Sequence, residues 1–217
     1  MDTITVTSPN DAGDGPDLLA YFTGKIGFVA EYRDGKTIPE NEDVTAINRV
    51  RFDSVGQRLG GKCEGTVFTD LTPNLEIHLT GHGTDQEARN VDDALHHPER
   101  TFPSVIGKSV PGASLSNPLH RLMDVGERNR NHDASVGICK DVWGPDYAAG
   151  GLDCDEYPYK TTREGSYTST NGNPQAWNGS ARPINKEDNS EAGTQLGVFY
   201  GTNRVLDNEA FTVSVVP

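Results

Sequence analysis

The densest group of reactive side chains is the run Gly151-Leu152-Asp153-Cys154-Asp155-Glu156-Tyr157-Pro158-Tyr159, where three carboxylates fall within four residues. On a strand, Asp153 and Asp155 would share one face and Glu156 would take the other. Like charges held this close repel, so the run needs a cation, an arginine partner or a raised pKa, unless it is only a solvated acidic turn. Pro158 fixes the strand exit and with it the aim of the carboxylates. Asp155 with Glu156 or Glu164 could also form the carboxylate pair that glycosidic hydrolysis uses. The second group is Asn185-Lys186-Glu187-Asp188-Asn189-Ser190-Glu191-Ala192-Gly193. Asp188 or Asn189 would cap a helix there, leaving the other to point into a cleft. His82, His96, His97, His120 and His132 suit surface or packing positions better than catalysis. Asn178-Gly179-Ser180 fits a glycosylation sequon but reads as a loop.

The elements that must carry these groups are short. Residues 8–17 form a looping lead-in. Four β-like runs follow, Ile26 to Tyr32, Val44 to Phe52, Thr66 to Thr69 and Leu75 to Leu79, separated by turn signals at Asp34-Gly35, Gly60-Gly61 and Thr72-Pro73-Asn74. The spacing of Ala88, Val91, Ala94 and Leu95 predicts a helix over Gln86 to His97, stopped by Pro98. Residues 101–118, rich in Pro, Gly and Ser, read as a linker. Short helices are expected at Leu119 to Met123 and at Asn131 to Cys139. A strand is expected over Asp153 to Tyr159, a loop over Gly165 to Gly179 and a strand over Ala181 to Asn185. Asp188 then caps a helix from Asn189 to Tyr200, and a half-buried strand closes the chain at Phe211 to Val216.

Composition narrows the classes. The chain has 217 residues, 19 Lys and Arg against 32 Asp and Glu, a net charge of −13, and 34% hydrophobic residues. Its 24 glycines and 13 prolines exclude a long-helix bundle or coiled coil. No apolar run approaches the roughly 18 residues of a membrane span, and no Lys/Arg block exists to serve as a basic tail for nucleic acid. The acidity is uneven: residues 1–100 carry 9 basic against 18 acidic side chains, and residues 101–217 carry 10 against 14. The start, Met1-Asp2-Thr3-Ile4-Thr5, shows no basic or apolar leader. A cytoplasmic protein and a mature secreted domain both fit. Of Cys63, Cys139 and Cys154, the last two could close a small loop, or all three could stay reduced.

Taken together, Asp153-Cys154-Asp155-Glu156-Tyr157-Pro158, Arg163-Glu164-Gly165 and Asp188-Asn189-Ser190-Glu191-Ala192-Gly193 resemble the NucA/NucB family of extracellular deoxyribonucleases. Pro118-Leu119-His120-Arg121-Leu122 and Asn203-Arg204-Val205-Leu206-Asp207 are similar to its longer actinobacterial members. The resemblance covers about residues 95–217. It implies an α+β protein: a β-rich N-terminal region over 1–100 of unknown role, the linker 101–118, and a small ββα-metal-like nuclease domain over 119–217. The implied activity is metal-dependent endonucleolytic hydrolysis of single- or double-stranded DNA with little sequence specificity.

The same resemblance implies roles for single residues. Asp155 would activate water, with Glu156 and Asn189 beside it as catalytic residues. A divalent cation, Mg²⁺ or Mn²⁺, would sit nearest Glu164 and Asn189. Arg163, Arg182 and Arg204 would hold phosphates. Cys139 and Cys154 would pair, bracing the strand that bears Asp155 and placing the protein in an oxidising compartment, secreted, with its leader absent from this chain. A monomer is expected, with DNA as its partner, a possible cognate inhibitor and no membrane. Compact members carry Arg where this chain has Cys154, and they carry a further Arg in the segment that here reads Asn189-Ser190-Glu191-Ala192-Gly193. A carboxylate ligand expected later on the helix falls near Phe199. Two rivals remain, the glycosidase and a secreted Ca²⁺-binding or adhesion module without catalysis.

Overall fold

The computed structural model describes residues 13–15, 17–23, 25–26, 45–46, 49–55 and 64–217. The expected run at 27–32, the turns at 34–35 and 60–61, and Cys63 lie outside the described residues. The chain divides into two compact units, Met1–Leu71 and Thr72–Pro217. In the first, strands β1 (Ala20–Phe22), β4 (Val50–Asp53) and β5 (Gly65–Phe68) form an antiparallel sheet in the order β1-β4-β5, and β2 (Lys25–Ile26) pairs with β3 (Thr45–Ala46). Arg51 and Asp53 lie two residues apart on one face of β4 and form a buried ion pair at 3.3 Å.

The second unit is α+β and holds every residue of the two motifs. Strand β6 (Asn74–His78) runs parallel to β10 (Ala210–Val216), which pairs on its other side antiparallel to β7 (Leu119–His120). Helix α1 (Asp85–His96) matches the expected one within a residue, because Ala88, Val91 and Ala94 fall on one stripe and are fully buried. Helix α2 spans Val125–Trp143, β8 spans Leu152–Tyr157, β9 spans Ser180–Asn185, and α3 follows at once over Lys186–Thr202. The β8–β9 hairpin pairs Asp155 with Arg182 and Cys154 with Pro183. Asp155 and Asp153, on one face of β8, meet α1 and α3 through Asn90 and Asn189, while Cys154, on the other, is bonded to Cys139 of α2. The main core gathers Val91, Leu119, Tyr157, Phe199, Phe211 and Val213. Among the described residues, no helix is long and apolar enough to cross a membrane.

Four expectations change. Leu119 to Met123 is not a helix: Leu119 and His120 pair with β10, and the N–H groups of Arg121 and Leu122 go to Glu209 O and Thr161 O, so no helical ladder can form. Helix α2 is longer than the segment 131–139. It starts at Asp124, whose carboxylate accepts the Glu127 N–H, and ends at Gly144 with φ +88°. Helix α3 is capped by Asn185, which accepts from Glu187 N and Asp188 N, and not by Asp188. The segment 101–118 lies inside the second unit and is stitched into it. Lys108 Nζ donates to Thr101 O, Thr101 Oγ1 and Gly179 O at 3.3, 2.8 and 2.8 Å. Gly112 sits at φ +121°, where a Cβ would come within 2.0 Å of the Tyr157 hydroxyl.

Candidate active site

Strand, long loop, strand and helix meet in the order β8, 158–179, β9, α3. The loop is held by Asn131 of α2, whose amide nitrogen donates to Lys160 O and Thr162 O and whose oxygen accepts from Tyr167 N and Thr168 N. Gly165 allows this contact, since a Cβ there would lie 2.2 Å from the Asn131 amide nitrogen. The Cys139–Cys154 disulfide ties α2 to β8, as the resemblance implied.

A cleft of about 380 Å³ opens around the edge of β8 that β9 does not pair. One wall comes from α1 and α3 with the Asp153/Asp155 face of β8, and brings in Glu87, Lys186, Asn189 and Ser190. The other comes from α2 and the strand exit, and brings in Arg128, His132, Glu156 and Lys160. Asp153, Asp155 and Glu156 therefore line one cleft together, although alternation assigns Glu156 to the opposite face. The cleft wraps the open strand edge, where the two faces meet.

The carboxylates are not equivalent. Asp155 is 4% exposed, and one of its oxygens accepts from Asn90 Nδ2 at 2.8 Å. Burial pushes its pKa up to about 6 against the opposing pull of that hydrogen bond and of Arg182. Glu156 is raised to about 8 by burial and then by the Asp155 charge. Glu87, 4% exposed and hydrogen-bonded by the Tyr159 hydroxyl, is raised by burial and by Asp155 as well. Asp153 accepts from Asn189 Nδ2 at 3.1 Å and from the Cys154 N–H at 2.9 Å. On the opposite wall, Arg128 Nε and His132 Nδ1 are buried without a hydrogen-bond partner among the described residues. Burial and Lys160 hold the His132 pKa below its usual value.

The remaining sequence candidates disperse. Asn189 lies in the cleft beside Asp153. Glu164 does not line it: its two oxygens accept from His120 N and pair with His120 Nδ1, each at 2.8 Å. Arg163 pairs with Asp207 at 2.8 Å and lines a separate shallow depression with Arg130 and Tyr167. Arg182 is committed to α1, reaching Asp93 at 2.7 Å, Arg89 O at 2.8 Å and Asn90 Oδ1 at 3.0 Å. Arg204 is 4% exposed, at a backbone φ of +48°. Asp188 accepts the Gln86 N–H at the start of α1. Ser180 of the sequon is buried against Asn90.

Glu87, Asn90, Arg128, Lys160 and Lys186 escaped the reading of the sequence, and His132 was set aside as packing. Arg128 and His132 stand four apart on α2, a spacing that places both on one helix face and was visible in the sequence. Nothing local in the sequence joins Glu87 and Asn90 to a strand more than sixty residues away.

A hairpin followed directly by a helix thus carries a buried carboxylate at the strand edge, with Arg128 and Lys160 across the cleft. Residues 120–214 match the family described as Deoxyribonuclease NucA/NucB. No curated protein and no solved structure matches the chain.

Proposed function

We propose that the chain is a metal-dependent endonuclease that hydrolyses DNA phosphodiester bonds with little sequence preference. The observation that carries this reading is Asp155, a buried carboxylate with a raised pKa at the edge of the hairpin within the matched segment. One Asp155 oxygen is held by Asn90, and the carboxylate lines the cleft, where it would take a proton from a water. That water attacks phosphorus, the bond to the 3′-oxygen breaks, and the products are a 5′-phosphate and a 3′-hydroxyl. Arg128, His132, Lys160 and Lys186 supply donors for the phosphate oxygens, in the place of Arg163, Arg182 and Arg204. A base pKa near 6 keeps Asp155 ionised at neutral pH while leaving it basic enough to accept the proton.

The proposal includes a hard cation that would retain most of its waters. Among the described residues, no three His, Cys, Asp or Glu side chains are grouped to hold a metal. Asn189 gives its Nδ2 to Asp153, so its Oδ1 is the atom that would hold the ion, and Glu164 is engaged elsewhere. When bound, Mg²⁺ or Mn²⁺ would supply Lewis-acid stabilisation of the scissile phosphate and of the leaving 3′-oxygen. The disulfide supports an oxidising compartment, and secretion is part of the proposal.

The test is cleavage of supercoiled plasmid and of single-stranded DNA with Mn²⁺ or Mg²⁺, with and without EDTA, by wild type and Asp155→Ala. A general base contributes about 10²- to 10⁴-fold, so the variant should lose at least two decades of rate. Folded wild type that leaves both DNAs intact refutes the function. Cleavage retained by Asp155→Ala refutes the assignment of the base.

A further inference from the structure

The side-chain hydrogen bond to Asp155 comes from outside the segment that matches the NucA/NucB family. It is held by α1, more than twenty residues before that segment begins. Asn90 is completely buried, and both its amide oxygen and its amide nitrogen are hydrogen-bonded. Its Oδ1 accepts from Ser180 Oγ at 2.6 Å and from Arg182 Nε at 3.0 Å, both on β9. Its Nδ2 donates to Asp155 at 2.8 Å on β8. Arg182 Nε can only donate, so the atom facing it must be the amide oxygen, and the nitrogen is left for Asp155. Arg182 is itself locked onto α1 by Asp93 and Arg89 O. The amide therefore has one orientation, and it fixes one carboxylate oxygen of Asp155, a residue that lines the cleft.

We infer that Asn90 is the positioning residue of the catalytic base, and that α1 is part of the nuclease apparatus and not of a separate N-terminal module. The inference rests on the reading of Asp155 as base. Asn90 touches no substrate and acts only through the Asp155 carboxylate. Losing it lets the carboxylate rotate away from the position in which it meets the attacking water, and takes a side-chain donor from a buried charge. Asn90 does not line the cleft and is bonded to none of the proposed phosphate donors Arg128, His132, Lys160 and Lys186, so KM should barely move.

The experiment measures kcat and KM on a fluorogenic DNA duplex with saturating Mn²⁺, using the full chain well below each variant's Tm. Wild type is compared with Asn90→Ala, Asn90→Ser, Ser180→Ala, Val91→Ala and Asp155→Ala. Val91 is fully buried on the same helix but points into the apolar core, so Val91→Ala gauges the effect of destabilising α1 alone. Asn90→Ala should lower kcat about 10- to 100-fold, the range for a lost hydrogen bond to a charged group, with KM changed less than about twofold. Ser180→Ala, which leaves Arg182 on the amide, should lose less. Val91→Ala should keep kcat despite a lower Tm. If Asn90→Ala does not fold, Asn90→Ser, too short to bridge to Asp155, must show the same kcat loss.

A kcat within twofold of wild type for a folded Asn90 variant overturns the inference, and so does an equal loss in Val91→Ala. The two readings fail separately. Inactive Asp155→Ala beside fully active Asn90→Ala removes only the positioning role. Active Asp155→Ala removes the base assignment, and the inference with it.

Discussion

The Cys139–Cys154 bond joins α2, which carries Arg128 and His132, to the strand that carries Asp155, and it offers a perturbation of calculable size. It closes a loop of sequence separation 15, and the loop-entropy relation assigns such a loop about 3 kcal/mol of unfolded-state destabilisation. In a domain of roughly 150 residues each kcal/mol moves Tm by about 2–4 °C, so reduction should lower Tm by about 6–12 °C. Reduction of wild type is a cleaner change than mutation, because both sulfurs are buried and Cys→Ala would add a cavity term. The assay is thermal unfolding by circular dichroism with and without reductant, with full reduction verified by mass. Plasmid cleavage is measured in parallel at a temperature where the reduced protein is still folded. Activity should fall with the bond, since the two walls of the cleft lose their covalent tie. A Tm shift below about 2 °C after complete reduction would refute the loop-closure reasoning. Undiminished cleavage by the reduced, folded protein would refute the claim that this bond sets the spacing of the walls.

Further outcomes follow from the same geometry. Glu87, Asp155 and Glu156 all have folded-state pKa values raised by burial. The folded state thus holds more protons than the unfolded one between the ordinary carboxylate range and about pH 8, and stability must fall as pH rises through that window. Melting at pH 5.5 and pH 8 in metal-free buffer should give the higher Tm at pH 5.5, and the reverse order would show that these carboxylates are not desolvated. Cleavage should run oppositely on its acid side, dropping below about pH 6 as Asp155 takes up its proton; a flat pH–rate profile from pH 5 to 8 contradicts this. Arg128→Ala should weaken DNA binding and raise KM several-fold, whereas Arg163→Ala, outside the cleft, should change KM little. Equal effects of the two substitutions in a filter-binding or anisotropy titration would contradict the assigned wall.

The parts of the site that were legible in the sequence are those with a local signal. The β8–β9–α3 order followed from Gly and Pro punctuation around short apolar runs, and α1 followed from Ala88, Val91 and Ala94. Helix α2 was understated because its buried face consists of Asn131, Ser135, Ile138 and Cys139, which gives hydrophobic periodicity little to detect. Its true start carried a signal all the same, Asp124 followed three residues later by Glu127. Helix α3 begins without any turn after β9, so the capping oxygen comes from the last strand residue, Asn185, and not from the acidic pair further on. Glu87 and Asn90 could not be found from sequence pattern. Each is an ordinary helical position whose meaning lies in the strand it faces, and that partner is fixed only by tertiary packing.

The charge of the cleft also departs from the charge of the chain. A formal net charge of −13 argues against contact with a polyanion, yet that figure counts every carboxylate as ionised. Burial changes this where it matters. With Glu156 raised to about 8 and Glu87 raised as well, part of the acidic floor stays protonated near neutrality. Arg128, Lys160 and Lys186 then face a smaller negative charge than the residue count suggests. The desolvation that raises the Asp155 pKa also lowers the electrostatic penalty for bringing a phosphate beside it. For a chain with no basic tail or stripe, the field that acts on a phosphodiester is set by the few groups within a Debye length of the cleft, about 8 Å at physiological salt.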